Sequence, residues 1–223
     1  MFDALFTTTT EYKKLSHALS GKGACALFGL PASGRAQVYA ALCRQLDKPL
    51  CIVTPGEAEA TRFAADLNTL GIPAAVFPAR DYVLRPIEGT AREYEYRRLA
   101  VLGELVGGRL RAVAVPAEAL TQFTTPKEDF CANTRTLHAG DTLLRDDLLA
   151  ALFGAGYTRR AQVDGPGQFS VRGDIVDIFA PDQKMPVRME FWGDEIDTLH
   201  TFDLTPQRRE DAIDKFYLSP ARE

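Results

Sequence analysis

Ionic side chains alternate with apolar ones between Gln168 and Asp203. In residues 187–192, the apolar Val187, Met189 and Phe191 alternate with Arg188 and Glu190, which places the two sets on opposite faces of a β-strand. The same alternation groups Ser170 with Arg172 on the polar side. Charged groups held at fixed spacing on a sheet can form ion pairs with a protein partner. Taken alone, the pattern also fits an ordinary solvated sheet face.

Glycine-containing turns and the local charge shape this segment. Gly193-Asp194 predicts a two-residue hairpin loop, because glycine adopts the positive φ that such loops need. Gly173-Asp174 predicts either a second tight turn or a β-bulge. Residues 168–203 contain eight acidic and three basic side chains. A sheet with this negative balance repels a DNA backbone, so the segment favours a protein partner.

A second candidate for chemistry is the loop from Gly29 to Ala36, which has the glycine spacing of a phosphate loop between a strand and a helix. Ser33 and Gly34 fit that pattern, but Arg35 stands where lysine binds the β- and γ-phosphates. Ala36 stands where a hydroxyl would hold Mg²⁺, and its methyl group offers no metal ligand. We interpret the loop as a degenerate phosphate loop. Two alternatives are a plain strand-to-helix turn and an active nucleotidase in which Arg35 replaces the lysine.

The first half of the chain alternates between short apolar runs and helical periodicity. Val38, Leu42 and Leu46 recur at helical spacing, and further helices are expected over residues 57–70 and 91–106. The alternation predicts a parallel sheet covered by helices. The strands expected in it are Ala24–Phe28, Leu50–Thr54, Ala74–Phe77 and Ala112–Val115.

Composition indicates a folded protein without global affinity for polyanions. The chain has 223 residues, is 46% hydrophobic and carries a formal charge of −4. No apolar run reaches the ~18 residues of a membrane span, and the first residues do not form a signal peptide. The cysteines show no metal-ligand spacing and are expected to be reduced core thiols of a cytoplasmic protein; they are Cys25, Cys43, Cys51 and Cys131.

The sheet segment resembles the second domain of UvrB and of the transcription-repair coupling factors, the Mfd family. The shared pattern is F-x-V-R-G-D-x-x-D-I-F followed by R-x-E-F-x-G-D-E-I-D, which here runs from Phe169 to Asp197. Two features are closer to the coupling factors than to UvrB. Phe202-Asp203 precedes Thr205-Pro206-Gln207-Arg208, and the segment 218–223 reads L-S-P-A-R-E.

This resemblance implies that the domain binds UvrA. The residues that match the UvrA-contacting positions of the family are Arg159, Arg172, Arg188 and Glu190. Ser170 stands where UvrB usually has a further arginine, which removes one charged contact. The interpretation requires the guanidinium groups to lie on the surface rather than to be neutralised inside the fold.

The resemblance also implies an architecture. It predicts a RecA-like domain over residues 1–125, a UvrA-binding domain with an antiparallel sheet over 126–212, and a segment, 213–223, that can return to the first domain. Family members are ATP-driven DNA translocases that displace stalled RNA polymerase. The motor and polymerase-binding parts are expected to lie outside these residues, so we expect no catalysis and no cofactor here, ATP and magnesium belonging to the motor.

DNA binding is expected to be weak or absent. The family relative UvrB grips damaged DNA with an aromatic hairpin, whereas here Tyr94 and Tyr96 lie in a predicted helix and Tyr82 precedes it. Basic residues at helical spacing are typical of a solvated helix face. A UvrB-like fragment that binds damaged DNA is nevertheless the third alternative, beside the UvrA-binding module and the nucleotidase.

Overall fold

A computed structural model of the chain describes residues 7–21, 24–46, 48–80 and 92–223. The chain forms two compact units. The first comprises Met1–Ala79 with Gly107–Gln122, and the second comprises Arg80–Val106 with Phe123–Glu223. Within the described residues, no helix is both long enough and apolar enough to cross a bilayer.

The first unit contains a parallel three-stranded sheet of order β1-β3-β2, in which Leu50 pairs with Ala112 and Ala74 pairs with the same residue from the other side. Phe63 and Leu67 pack against Ile52 in the core beside the sheet. The prediction of parallel strands alternating with helices is therefore confirmed. The elements are α1 (Thr10–Ser20), α2 (Ala32–Gln45), β1 (Leu50–Thr54), α3 (Glu57–Thr69), β2 (Ala74–Val76), β3 (Ala112–Pro116) and α5 (Ala117–Leu120).

The predicted strand Ala24–Phe28 does not form. A strand needs a neighbouring strand and a surface on which to bury its side chains. No described strand pairs with this run, and its side chains stay accessible, Phe28 being 88% exposed. An apolar composition of strand length is therefore not enough to define a strand here.

Only one of the four cysteines has the expected core position. Cys43 is buried in α2, whereas Cys25, Cys51 and Cys131 are exposed. Cys51 lies on β1, where the neighbouring Ile52 packs into the core, so the alternation of the strand directs the Cys51 side chain away from it. The prediction of buried thiols was wrong for these three residues.

The second unit is built on an antiparallel sheet of order β10-β9-β8-β7-β6-β5, in which only β5 runs parallel to its neighbour. A two-stranded sheet pairs β11 with β4. The elements are α4 (Glu93–Val106), α6 (Lys127–Ala132), β4 (Arg135–His138), α7 (Arg145–Gly154), β5 (Thr158–Arg159), β6 (Gln168–Arg172), β7 (Ile175–Phe179), β8 (Val187–Trp192), β9 (Glu195–Phe202), β10 (Arg209–Ala212) and β11 (Lys215–Leu218).

Glycine turns connect the central strands as the sequence predicts. Gly193 has φ +62° in the two-residue loop between β8 and β9. Gly173 has φ +60° in the corresponding loop between β6 and β7, so Gly173-Asp174 forms a turn and not a bulge. The turns fix the register of the strands and hence which side chains share a face.

The two faces of the six-stranded sheet carry different cores. Phe169, Ile178 and Met189 face the main core, together with Leu148 of α7 and Phe216 of β11. The opposite face carries a small cluster formed by Val163, Phe179 and Phe202, against which Leu204 packs. Apolar side chains therefore cover part of the face on which the charged residues lie.

A buried ion pair joins Arg98, in the interior of helix α4, to Glu223. The side chains of Arg98 and Glu223 are both inaccessible to solvent, and Arg98 Nε donates to Glu223 Oε2 at 2.6 Å. Arg80 and Thr124 also contact the Glu223 carboxylate. The basic residues of this helix are predicted to lie on a solvated face, and the buried Arg98 is an exception.

The compact units group residues differently from the predicted domains 1–125, 126–212 and 213–223. Residues 80–106 and 213–223 both fall in the second unit, where β11 pairs with β4. The predicted division at residues 125 and 212 stays a prediction.

Candidate partner-binding face

The strand register places the predicted partner-binding residues in two rows on the face of the sheet opposite the main core, which we call the polar face. In the first row, Ser170 pairs with Asp177, Asp177 with Arg188, and Arg188 with His200. The second row runs through neighbouring pairs in the same way; it consists of Arg172, Ile175, Glu190 and Thr198. Four of the five predicted contact residues thus lie together.

The centre of the first row is a buried ion pair. Arg188 Nε donates to Asp177 Oδ1 at 2.7 Å, and Arg188 Nη2 donates to Asp177 Oδ2 at 2.9 Å. The guanidinium also lies 4.8 Å from the ring centre of Phe202 and donates to the carbonyl oxygen of Gln207. The hydrogen bonds with Asp177 raise the pKa of Arg188 above its ordinary value and outweigh the opposing effect of burial.

Arg188 therefore has neither the exposed position that strand alternation predicts nor the surface guanidinium group that the partner-binding interpretation requires. It is 9% exposed and its partner Asp177 is 1% exposed. The physical reason is that Phe202 and the carbonyl of Gln207 contact the guanidinium on the polar face. Alternation identified the correct face of the strand, but it carries no information about a distant segment that folds over that face.

Ser170 is also buried, at 1% exposure. Its hydroxyl oxygen and Nδ1 of His200, at the two ends of the first row, have no hydrogen-bond partner among the described residues. Burial makes Ser170 unsuited to direct contact with a protein partner. An arginine in its place would need room for a long side chain beside Asp177.

Arg172 and Arg159 are the accessible arginines of the predicted set. The Arg172 side chain is 47% exposed, and its Nη2 donates to Asp177 Oδ2 at 2.6 Å. Arg159 lies exposed on β5, the edge strand beside β6. Because Asp177 accepts from both Arg172 and Arg188, one buried carboxylate organises the exposed and the buried guanidinium.

Glu190 carries an ion pair on the second row. Its carboxylate binds the Arg209 guanidinium of β10 and accepts a hydrogen bond from Thr198 Oγ1 at 3.3 Å. The Glu190 side chain is 20% exposed, while Arg209 is more accessible. The second row thus presents partly accessible groups of both signs, Arg172 at one side and the Glu190–Arg209 pair at the other.

Trp192, which ends β8 and is 82% exposed, is not among the predicted contact residues. A tryptophan side chain this exposed to solvent is unusual in a folded unit. Tryptophan is also enriched among the residues that dominate binding energy in protein interfaces. The signal was available, because Trp192 continues the alternation of Arg188 and Glu190 on the polar side.

The apolar character continues beside Trp192. Leu144 is exposed, and the backbone N–H of its neighbour Leu143 donates to the carbonyl oxygen of Asp194 in the loop that follows Trp192. Arg145 Nη1 contacts Asp174 in the other turn at 3.2 Å. Exposed apolar side chains and charged groups therefore occur together at the turn end of the sheet.

The phosphate-loop candidate belongs to the first unit. Helix α2 begins at Ala32, Gly29 has φ +78°, and Arg35 forms an ion pair with Glu59 at 3.7 Å. Ala36 is buried and Gly34 N–H donates to the carbonyl oxygen of Pro31. The side chain of Ser33 lies outside the described residues. Across the described part of the chain, no cluster of His, Cys, Asp or Glu side chains is suited to hold a metal ion.

The polar face lies in a segment that matches a known protein family. Residues 136–223 match the family described as the UvrB interaction domain. A transcription-repair-coupling factor of Mycobacterium bovis is 38% identical over 192 residues, or 82% of this chain. This chain belongs to the transcription-repair-coupling factor family. The coupling factor of Bacillus subtilis is 29% identical over 88% of the chain.

The similarity covers a limited part of each relative. The chain spans 15% of the Mycobacterium coupling factor and 17% of the Bacillus one. A UvrABC system protein B of Chlorobium limicola is 28% identical over 88% of this chain and 31% of its own length. The chain therefore corresponds to a UvrB-like region of the coupling-factor family.

Proposed function

We propose that this chain is an adaptor module that binds UvrA and recruits it to stalled RNA polymerase during nucleotide excision repair. The observation that carries the proposal is the UvrB interaction domain over residues 136–223, whose polar face presents accessible ionic groups beside an exposed tryptophan. The parent protein supplies polymerase binding and ATP-driven translocation on DNA through other segments. The module acts in the cytoplasm.

The geometry divides the work among the residues of the polar face. Arg172, Arg159 and Glu190 are accessible enough to contact UvrA directly, and Trp192 supplies an apolar anchor at the turn end. Arg188 acts differently, because it is buried against Asp177 and holds the carboxylate that orients Arg172. It is a positioning residue rather than a contact.

Titration of UvrA into the 223-residue chain, followed by calorimetry, tests the proposal. We expect binding by the wild-type chain, and a loss of at least tenfold in affinity for Arg172→Glu and for Trp192→Ala, because central arginine and tryptophan contacts contribute about 2 kcal/mol or more. Arg135→Glu is the matched control, since Arg135 is an exposed arginine of β4 outside the polar face.

Two results would contradict the proposal. One is a wild-type chain that binds no UvrA at the concentrations used. The other is a set of polar-face variants that bind UvrA as tightly as the control, which would move the interface to another surface.

The loop Gly29–Ala36 is proposed to be a degenerate phosphate loop in a RecA-like unit, without nucleotide chemistry. Arg35 replaces the lysine and Ala36 offers no oxygen to a metal, while the exposed Arg35–Glu59 ion pair at 3.7 Å is too weak to exclude a phosphate by itself. The alternative nucleotidase requires Arg35 to leave Glu59 for a phosphate. Weak or absent DNA binding belongs to the same proposal, because the acidic turns of the sheet repel a phosphate backbone.

A further inference from the structure

The residues that line a groove in the second unit have no role in the function proposed above, although Arg159, a proposed UvrA contact, lies between two of them, Thr158 and Arg160. The volume of the groove is about 590 Å³, and it runs between helix α4 and the β5 edge of the six-stranded sheet. We call it the arginine groove. Its floor is formed by Tyr96, Ala100, Pro166 and Pro181, and its rim includes Arg92, Arg97 and Arg160.

The floor of the groove is shaped by a close approach of Tyr96 to the backbone. Gly167 has φ +72°, and a Cβ atom at this position would lie 2.5 Å from the Tyr96 hydroxyl oxygen. Only glycine therefore permits this contact. The Tyr96 side chain is set against the chain that leads into β6, next to Pro166, so the groove has a built apolar floor.

The rim gives the groove a positive charge in a chain that is negative overall. Three arginines and one acid, Glu93, line it, whereas the formal charge of the whole chain is −4. Arg160 is exposed, Arg97 lies over the Tyr94 ring at 5.7 Å, and Arg92 contacts Glu95 at 4.0 Å. The exposed Arg92–Glu95 ion pair is weak at this distance, so a better-placed anion can displace the Glu95 carboxylate from Arg92.

Among the described residues, no strand pairs with the outer edge of β5, the strand beside the groove. β5 is the last strand in the sheet order. Thr158 N–H donates to the carbonyl of Gly167 and Arg160 N–H donates to that of Phe169, both toward β6. Because successive residues of a strand direct their backbone groups to opposite sides, the N–H and C=O of Arg159 point away from β6. This edge can pair with an added extended segment.

We propose that the arginine groove binds an extended acidic peptide segment of a partner protein. The segment adds to the edge of β5 through the backbone of Arg159, and its carboxylates pair with Arg160 and Arg97. Its apolar side chains rest on the floor beside Tyr96. A nucleic acid fits less well, because the strand edge offers its hydrogen bonds to a peptide backbone and Tyr96 packs on Gly167.

Fluorescence anisotropy of a labelled peptide tests this site. The probe alternates glutamate and valine over about ten residues, which matches the two-residue repeat of a strand. We expect saturable binding by the full chain that weakens when NaCl rises from about 0.15 M to about 0.5 M. Arg160→Glu and Arg97→Glu should each lower affinity at least fivefold, while the matched control Arg135→Glu should leave it unchanged.

A titration of the isotope-labelled wild-type chain provides a readout that needs no variant. The peptide should shift the amide signals of Arg159, Arg160 and Gly165 before those of Arg172 or Trp192. A glutamine-for-glutamate peptide should produce no shifts. No peptide binding, shifts confined to the polar face, or tighter binding of an oligothymidine of about ten nucleotides would each overturn the proposal. The UvrA proposal is tested separately, by Arg172→Glu and Trp192→Ala.

Discussion

Arg172 and Arg188 donate to the same carboxylate but differ in what surrounds them. Arg188 is buried and contacts Asp177 with two nitrogens, whereas half of the Arg172 side chain is exposed. Removing one member of a buried ion pair leaves an uncompensated charge in a medium of low dielectric constant. Removing the exposed member leaves Asp177 paired with Arg188. The two arginines should therefore respond differently to substitution.

Substitution of each arginine by alanine separates stability from binding. Arg188→Ala should lower the free energy of unfolding by about 3–5 kcal/mol, because Asp177 loses its main buried partner. Arg172→Ala should change stability by less than about 1 kcal/mol, because the side chain is half exposed. Chemical denaturation in urea measures both. Equal losses for the two variants would show that the carboxylate depends on both arginines alike.

A second substitution controls for this interpretation. In the Arg188→Ala background the buried Asp177 carboxylate keeps only the half-exposed Arg172 as a partner, and Asp177→Asn removes its charge, so the double variant should be more stable than Arg188→Ala alone. If the double variant is the less stable of the two, the incompletely compensated charge of Asp177 is not the cause of the loss.

At the scale of elements, helix α4 is linked to the segment after β11 by the Glu223 carboxylate. Arg98 contacts Glu223 with two nitrogens, at 2.6 and 2.9 Å, and Arg80 lies 2.9 Å from the same carboxylate. Burial acts to raise the pKa of Glu223, but hydrogen bonds from Arg98, Thr124 and Arg80 outweigh it, and the pKa lies below its ordinary value near 4.5. The charged form is therefore the one that stabilises this contact.

The pKa shift predicts a pH-dependent contribution to stability. A carboxyl group whose pKa is lower in the folded state stabilises the fold above its unfolded pKa. That contribution is lost as the pH falls through the folded pKa. Wild type should exceed Glu223→Gln in unfolding free energy at pH 7, and the difference should shrink below about pH 4.5. Urea denaturation at several pH values measures it.

Glu210→Gln is the control for this prediction, because Glu210 is exposed on β10. Its difference from wild type should stay small at every pH. A Glu223→Gln difference that is independent of pH would mean that shape, not charge, sets the contribution of this residue.

At the scale of the whole molecule, the two units carry different kinds of candidate binding site. The first unit carries the phosphate-loop candidate, with Arg35 paired to Glu59 and no hydroxyl at Ala36. The second unit carries the polar face and the arginine groove, which suit protein partners. A nucleotide-driven function and an adaptor function would therefore depend on different parts of the chain.

Calorimetric titration of the chain with ATP and MgCl₂ separates these functions. We expect no binding with a dissociation constant below about 1 mM, because the lysine and the magnesium-binding hydroxyl of a working loop are both replaced. The double variant Arg35→Lys, Ala36→Thr is the matched comparison, since it restores both groups. Micromolar affinity of the wild-type chain would favour the nucleotidase.

The sequence predicts the regular parts of this fold better than its contacts. Alternation in β8 correctly separated Met189 from Arg188, and glycine identified the turn at Gly193-Asp194, whereas Gly173-Asp174 fitted a turn or a bulge equally well until the strand register was known. The expected strand at residues 24–28 failed because strand formation depends on a partner edge that local sequence does not encode. The burial of Arg188 depends on Phe202 and Gln207, which lie beyond the next turn. Trp192 was visible in the pattern, and its exposure required the structure.

In the proposed interface, an acidic group of the partner competes with Asp177 for Arg172. Any acidic group that approaches Arg172 from outside meets a guanidinium already bound to a resident anion at 2.6 Å. An incoming carboxylate must therefore compete with Asp177 for Arg172, and only a well-aligned carboxylate forms the stronger ion pair. When Arg172 pairs with the incoming carboxylate, Asp177 keeps its ion pair with Arg188, and the sheet stays intact. Competition with Asp177 therefore selects against protein partners whose carboxylates are poorly aligned with Arg172.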